Sequence, residues 1–189
     1  MSPDSHPVLG IFASDYGPGD AERAAIMSQA GSYFARKGAR LACLADDSQL
    51  PVPLITSART AGGDVTLIAD DSYAEPSYLK GVTVEHIATP EARMARLAAL
   101  STVYVALPGS LGSAIGLYKT WVAGGGGAGR KPVVFYDRNG AFKVVRGYAA
   151  DVIANSIPNH DRYLQFADSV EDMWNKIVWL IDQGAANAA

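Results

Sequence analysis

Six residues near the middle of the chain, Pro108-Gly109-Ser110-Leu111-Gly112-Ser113, have the make-up of an anion site. Two glycines let backbone come close to a ligand, and two hydroxyls stand beside them. The near-continuous apolar run Val103 to Leu107 precedes them and reads as a strand buried on both faces. Ala114 to Trp121 follows with the composition of a helix packed back on the sheet. Strand, glycine-rich turn and helix form half of a parallel α/β unit, whose turn is where such folds offer backbone N–H groups to anions. The same glycines also suit a tight turn with no ligand, and both readings stand.

Other polar residues fall where such a turn would need partners. Thr89-Pro90 opens a helix over Glu91 to Leu100 that carries Arg93 and Arg96. One arginine is expected to face a ligand and the other to be a solvated charge. Ser14 and Asp15 follow the first strand, Pro7 to Ala13, and either join the site or simply close the loop. Asp46 ends the second strand, Leu41 to Ala45, and is a lesser candidate for ribose hydroxyls. The run Gly124 to Gly129 contains a formal Gly-x-Gly-x-x-Gly, but it follows a helix and precedes the strand Val133 to Tyr136. That order is wrong for a dinucleotide turn, so it is read as a connector.

The central segment resembles the signature of the Lonely-Guy-type family, cytokinin-activating phosphoribohydrolases often mislabelled as lysine decarboxylases. The family pattern is Pro-Gly-Gly-x-Gly-Thr-x-Glu-Glu, with an upstream arginine in a Met-x-x-Arg helix. Here Pro108, Gly109 and Gly112 match, Ser110 and Ser113 replace glycine and threonine, and Arg93 lies fifteen positions before Pro108, at the family spacing. Thr120-Trp121, Lys131-Pro132-Val133 and Ala61-Gly62-Gly63 also match, and Ser14-Asp15 stand where the family places small residues near its ligand. Two departures matter. Ile115 and Gly116 occupy the positions of the two glutamates, and Asp46 to Pro53 replaces a glycine-rich run that helps hold the nucleotide phosphate. The resemblance implies a ligand site at Ser14, Asp15 and Pro108, Gly109, Ser110, Leu111, Gly112 and Ser113, with Arg93 as the retained catalytic-site cation. It also implies a homodimer formed through helices beside the site, with Trp121 in the matching helix.

The elements that must position these residues alternate between strands and helices. The fold expected is α/β, a Rossmann-like three-layer αβα sandwich with a mostly parallel sheet, in one nucleotide-binding domain spanning 1–189 with flexible ends at 1–6 and 184–189. Helices are read at Ala21 to Lys37 behind an Asp20 cap, Leu54 to Ala61, Ala141 to Ala154, and after a Ser169-x-x-Asp172 cap. Further strands are read at Val65 to Ala69, Val82 to Ile87 and Leu164 to Phe166. With 49% apolar and 19% charged residues, the 189-residue chain has an ordinary globular composition. Its net charge of −3 and lack of a basic block argue against nucleic acid as a partner. No signal peptide or membrane-length apolar run is read, and a cytoplasmic protein is the simplest expectation.

Negative signs narrow the chemistry. His6, His86 and His160 are scattered without ligand spacing, so no metal is expected, and the single Cys43 rules out a disulfide within the chain. No lysine is marked as a Schiff-base former, so a pyridoxal-phosphate decarboxylase is discounted and no cofactor is expected. The function expected is binding of a small phosphorylated nucleotide or nucleoside at the turn, without the family's hydrolysis because both glutamates are gone. One alternative is an active N-glycosidase in which Asp15, Asp46 or Glu91 supplies the carboxylate. The other is a non-catalytic dimeric scaffold or sensor.

Overall fold

The computed structural model describes residues 6–14, 20–45, 50–123, 131–148, 150 and 163–188. Asp15, Asp46, His160, the Gly124 to Gly129 run and most of 149–162 lie outside the described residues, as do the side chains of Asp20 and Trp121. Seven strands form one sheet: β1 (Val8–Phe12), β2 (Arg40–Ala45), β3 (Val65–Ala69), β4 (Thr83–His86), β5 (Val103–Ala106), β6 (Val133–Tyr136) and β7 (Leu164–Ala167). Their order is β4-β3-β2-β1-β5-β6-β7, and every neighbouring pair is parallel. The helices are α1 (Asp20–Arg36), α2 (Val52–Thr60), α3 (Pro90–Leu100), α4 (Leu111–Ala123), α5 (Lys143–Tyr148) and α6 (Val170–Ala188).

Period-two alternation along the strands divides the core into two layers. Leu9, Ile11, Leu41, Cys43, Val103 and Val105 face one side, where Met27 and Phe34 of α1, Leu54 of α2 and Met173 and Ile177 of α6 cover them. Phe12, Ala42, Leu44, Tyr104 and Ala106 face the other, under Leu97 of α3, Leu117 of α4 and Phe142 beside α5. The result is a three-layer Rossmann-like α/β fold. Both sheet faces are buried, which is why β5 and β6 read as unbroken apolar runs rather than alternating ones.

The helix ends follow local chemistry. Thr89 caps α3, its hydroxyl accepting from the Ala92 N–H at 3.2 Å, with Pro90 in the first turn. Ser169 caps α6 by accepting from the Asp172 N–H at 3.1 Å. Gly38, after α1, takes φ +81°, the left-handed conformation that closes a helix without a Cβ penalty. Three expectations shift. Helix α2 starts at Val52 rather than Leu54, because Pro53 is accommodated in the first turn where its missing N–H costs nothing. Helix α4 starts at Leu111 rather than Ala114. Helix α6 runs to Ala188, so the residues from Gly184 continue the helix, three alanines offsetting the poor propensity of Gly184 and Asn187.

Candidate functional site

The chain winds outward from β1 to β4, returns to lay β5 against β1, and winds outward again to β7. The reversal leaves a switch point between β1 and β5, where open α/β sheets place ligands beyond the carboxyl ends of the strands. The loop leaving β1 and the turn leaving β5 meet there. A Cβ on Gly109 would press on Ser113 Oγ and lie 2.9 Å from the Ser14 backbone nitrogen. Glycine at 109 is therefore set by space: no side chain fits between the turn and the end of β1. Ser14 is fully buried behind it.

The turn proper is shorter than its sequence suggests. Ser110 is the cap of α4: its Oγ accepts from the Ser113 N–H at 3.3 Å, and its carbonyl accepts from the Ala114 N–H at 3.2 Å. Leu111 and Gly112 are the first two residues of the helix. The Ser113 hydroxyl, itself buried, donates to the Ser110 carbonyl at 2.8 Å. Both hydroxyls thus brace the cap, while a hydroxyl oxygen that donates can still accept.

Two cavities open at this edge, on roughly opposite faces of α4. The larger, about 610 Å³, is lined by Pro108, Gly109, Ser110, Ser113 and Leu117, by Phe12 and Arg23, and by Phe142, Val144 and Val145. The smaller, about 260 Å³, is lined by Ile115, Gly116 and Lys119 of α4, by Glu91, Arg93 and Met94 of α3, and by Leu44 and Ala45 of β2. At about 100° per residue, positions 113, 114 and 117 share one side of a helix and 115, 116 and 119 the other. The expected site is therefore divided. Of the turn residues, Pro108, Gly109, Ser110 and Ser113 line one cavity, and Arg93 lies with the two glutamate-position residues in the other. Arg23, which no sequence motif marks, is the cation among the described residues lining the turn cavity.

Arg93 is held from behind. Its Nη1 donates to the carbonyls of Ile87 at 3.1 Å and Ala88 at 3.2 Å, just past β4. Its charge also reaches Asp70 at the end of β3. The Ser72 hydroxyl and N–H, donating at 2.6 and 2.8 Å, hold the Asp70 carboxyl below its ordinary range, and Arg93 adds to this. Arg96, the other arginine of α3, makes a two-pronged ion pair with Glu85 of β4, at 2.6 and 2.9 Å. Cys43 is buried in the sheet, and burial pushes its thiol up to about 12, which removes it as a nucleophile. Among the described residues no three His, Cys, Asp or Glu side chains gather as metal ligands, and no helix is long and apolar enough to cross a membrane.

These features define a parallel α/β protein with a glycine turn at its switch point. No protein-family model and no curated protein matches the sequence. Solved structures do. The molybdenum cofactor carrier protein from Chlamydomonas reinhardtii superposes with a TM-score of 0.71 at 15% identity, over 95% of this chain and 99% of that one. The molybdenum cofactor binding protein from the phototrophic bacterium Rippkaea orientalis gives 0.69 at 17%, over 94% and 99%. The X-ray structure of TM1055, a structural genomics target, gives 0.65 at 21%, over 94% and 99%. At these identities the likeness is one of fold.

Proposed function

We propose that this chain binds a small phosphorylated ligand, a nucleotide or nucleoside phosphate, in the cavity beside the Pro108 to Ser113 turn, and does not hydrolyse it. The observation that carries this reading is the 610 Å³ cavity at the switch point, which combines the start of α4, the Ser110 and Ser113 hydroxyls and Arg23. Helix N–H groups and a guanidinium are complementary to a phosphate dianion. Lack of hydrolysis follows from Ile115 and Gly116, which can neither move a proton nor stabilise an oxocarbenium-like transition state. Two of the structurally similar proteins carry or bind the molybdenum cofactor, so that compound is a ligand to test beside nucleotides. The reading includes one nucleotide-binding domain, paired as a twofold homodimer through the face of α4 where Ile115 and Tyr118 are exposed.

Titration calorimetry with nucleoside 5′-monophosphates, together with chromatography for released base, tests this. Binding without base release is expected, weakened about tenfold or more by Arg23→Ala, since a charge-assisted hydrogen bond contributes about 1.5–3 kcal/mol. Arg93→Ala should change affinity by less than about threefold, a shift of under about 0.7 kcal/mol.

A second reading has its own observation. Glu91 lines the smaller cavity with Arg93, so a carboxylate and a cation stand together where the family glutamates are missing. If base is released, and Glu91→Gln and Arg93→Ala both stop it, the chain is a phosphoribohydrolase with a displaced carboxylate.

A further inference from the structure

The turn cavity is larger than a phosphate requires. Its lining brings Ser110, Ser113 and Arg23 together with the apolar side chains Phe142, Val144, Val145 and Leu117. A volume of about 610 Å³ lies within the range of about 300–1,000 Å³ typical of sites that enclose a whole small molecule. Val144 is 86% exposed, a large apolar side chain left uncovered on the cavity wall.

Phe142 is held in that wall. Asp137, at the end of β6, accepts from the Phe142 N–H at 2.7 Å and from Arg146 Nε at 2.9 Å, which fixes both ends of the short segment around α5. The Phe142 ring packs edge-on against Phe135, centroids 5.1 Å apart. Phe135 stacks on Phe166 at 5.0 Å, and the Arg146 guanidinium covers Phe166 at 4.5 Å. A ring locked by its neighbours loses little freedom when a ligand lies against it.

We propose that Phe142 is the specificity-determining residue of this cavity, selecting phosphate esters that carry a heteroaromatic ring over bare sugar phosphates. The inference rests on the turn reading above and adds to it the chemical class of the ligand's body. The phosphate sits at the capped start of α4, and the ring lies against Phe142 and the aliphatic groups beside it. Stacking on an aromatic side chain tolerates any base, because every base has a π-face. Selection is therefore for the ring rather than for one base.

Calorimetry with AMP, GMP, CMP, ribose 5-phosphate and inorganic phosphate distinguishes the possibilities, using the full chain and the variants Phe142→Leu and Phe142→Ala. Thermal unfolding of each variant confirms that it is folded. The wild type should bind the nucleotides about tenfold or more tighter than ribose 5-phosphate. Phe142→Leu, which keeps an apolar side chain at the site, should cut that preference to about threefold or less by weakening the nucleotides more than ribose 5-phosphate. Equal binding of nucleotides and ribose 5-phosphate by the wild type overturns the inference and leaves the turn reading standing. A preference that survives in both variants removes Phe142 as the selector. No binding of any of the five compounds overturns both readings.

Discussion

Single side chains at the sheet carry consequences that can be measured. Tyr104 is buried in β5, its hydroxyl has no hydrogen-bond partner among the described residues, and burial pushes its pKa up to about 12. A buried hydroxyl left unpaired costs about 1–3 kcal/mol. Tyr104→Phe keeps the ring on Phe12 and removes the orphan, so it should raise stability by about 1 kcal/mol in urea unfolding; a loss instead would show that the hydroxyl has a use. Glu85 gives a pH signature. Its bond and ion pair with Arg96 hold the carboxyl below the ordinary value of 4.5, so the pair stabilises the folded state above that value. That stability is lost as pH falls through the folded-state pKa. Both groups are partly exposed, so Glu85→Gln should cost only about 0.2–1 kcal/mol at pH 7, a difference that fades in unfolding curves taken below pH 4.5. Neither effect was legible in the sequence. Tyr104 reads as one more apolar residue in a buried run, and nothing in the spacing of Glu85 and Arg96 says that a strand and a helix bring them together.

The elements were legible to the extent that each is locally determined. Strands β3 and β6 fall where the apolar runs Val65 to Ala69 and Val133 to Tyr136 put them, since a strand buried on both faces needs an unbroken run. Helix α4 was placed three residues late because Gly112 and Ser113 look like turn. Packing of Gly109 against β1 instead forces the chain into helix directly after the Ser110 cap. The same packing makes a prediction. Gly109→Ala must push the turn off Ser14, so it should destabilise the fold by about 1–3 kcal/mol, the usual cost of overpacking. Nucleotide binding should fall with it, and urea titration beside calorimetry reads both. The division of the expected site also belongs to this scale. Sequence distance relates Arg93 to Pro108, but only the helical phase of α4 reveals that Arg93 faces residues 115, 116 and 119 while the turn opens on 113, 114 and 117. No motif marks Arg23 or Phe142 as site residues, because α1 and the segment before α5 reach the cavity from distant parts of the chain.

For the molecule as a whole, β-strands alternating with helical segments were enough to expect the doubly covered parallel sheet, and the structure carries it through all seven strands. Pairing of two copies leaves a sequence trace only in the motif resemblance. If the exposed Ile115 and Tyr118 face is the contact, light scattering at micromolar concentration should give twice the chain mass, and Tyr118→Glu should give the monomer. A monomeric wild type would remove the dimer from the proposal. The strand order has a further consequence, in the time course of folding. Strand β1 is central and pairs on one side with β2, its next strand in the chain, but on the other with β5, so that Leu9 lies beside Val103. During synthesis the first half can collapse on β1 to β4 while the second edge of β1 stands bare until Val103 to Ala106 emerge. An unpaired central strand rich in apolar residues is the kind of edge on which chains aggregate. Joining partners so far apart delays the final step relative to local hairpins or helix pairs. The glycine turn thus takes its final shape only once β5 docks against β1.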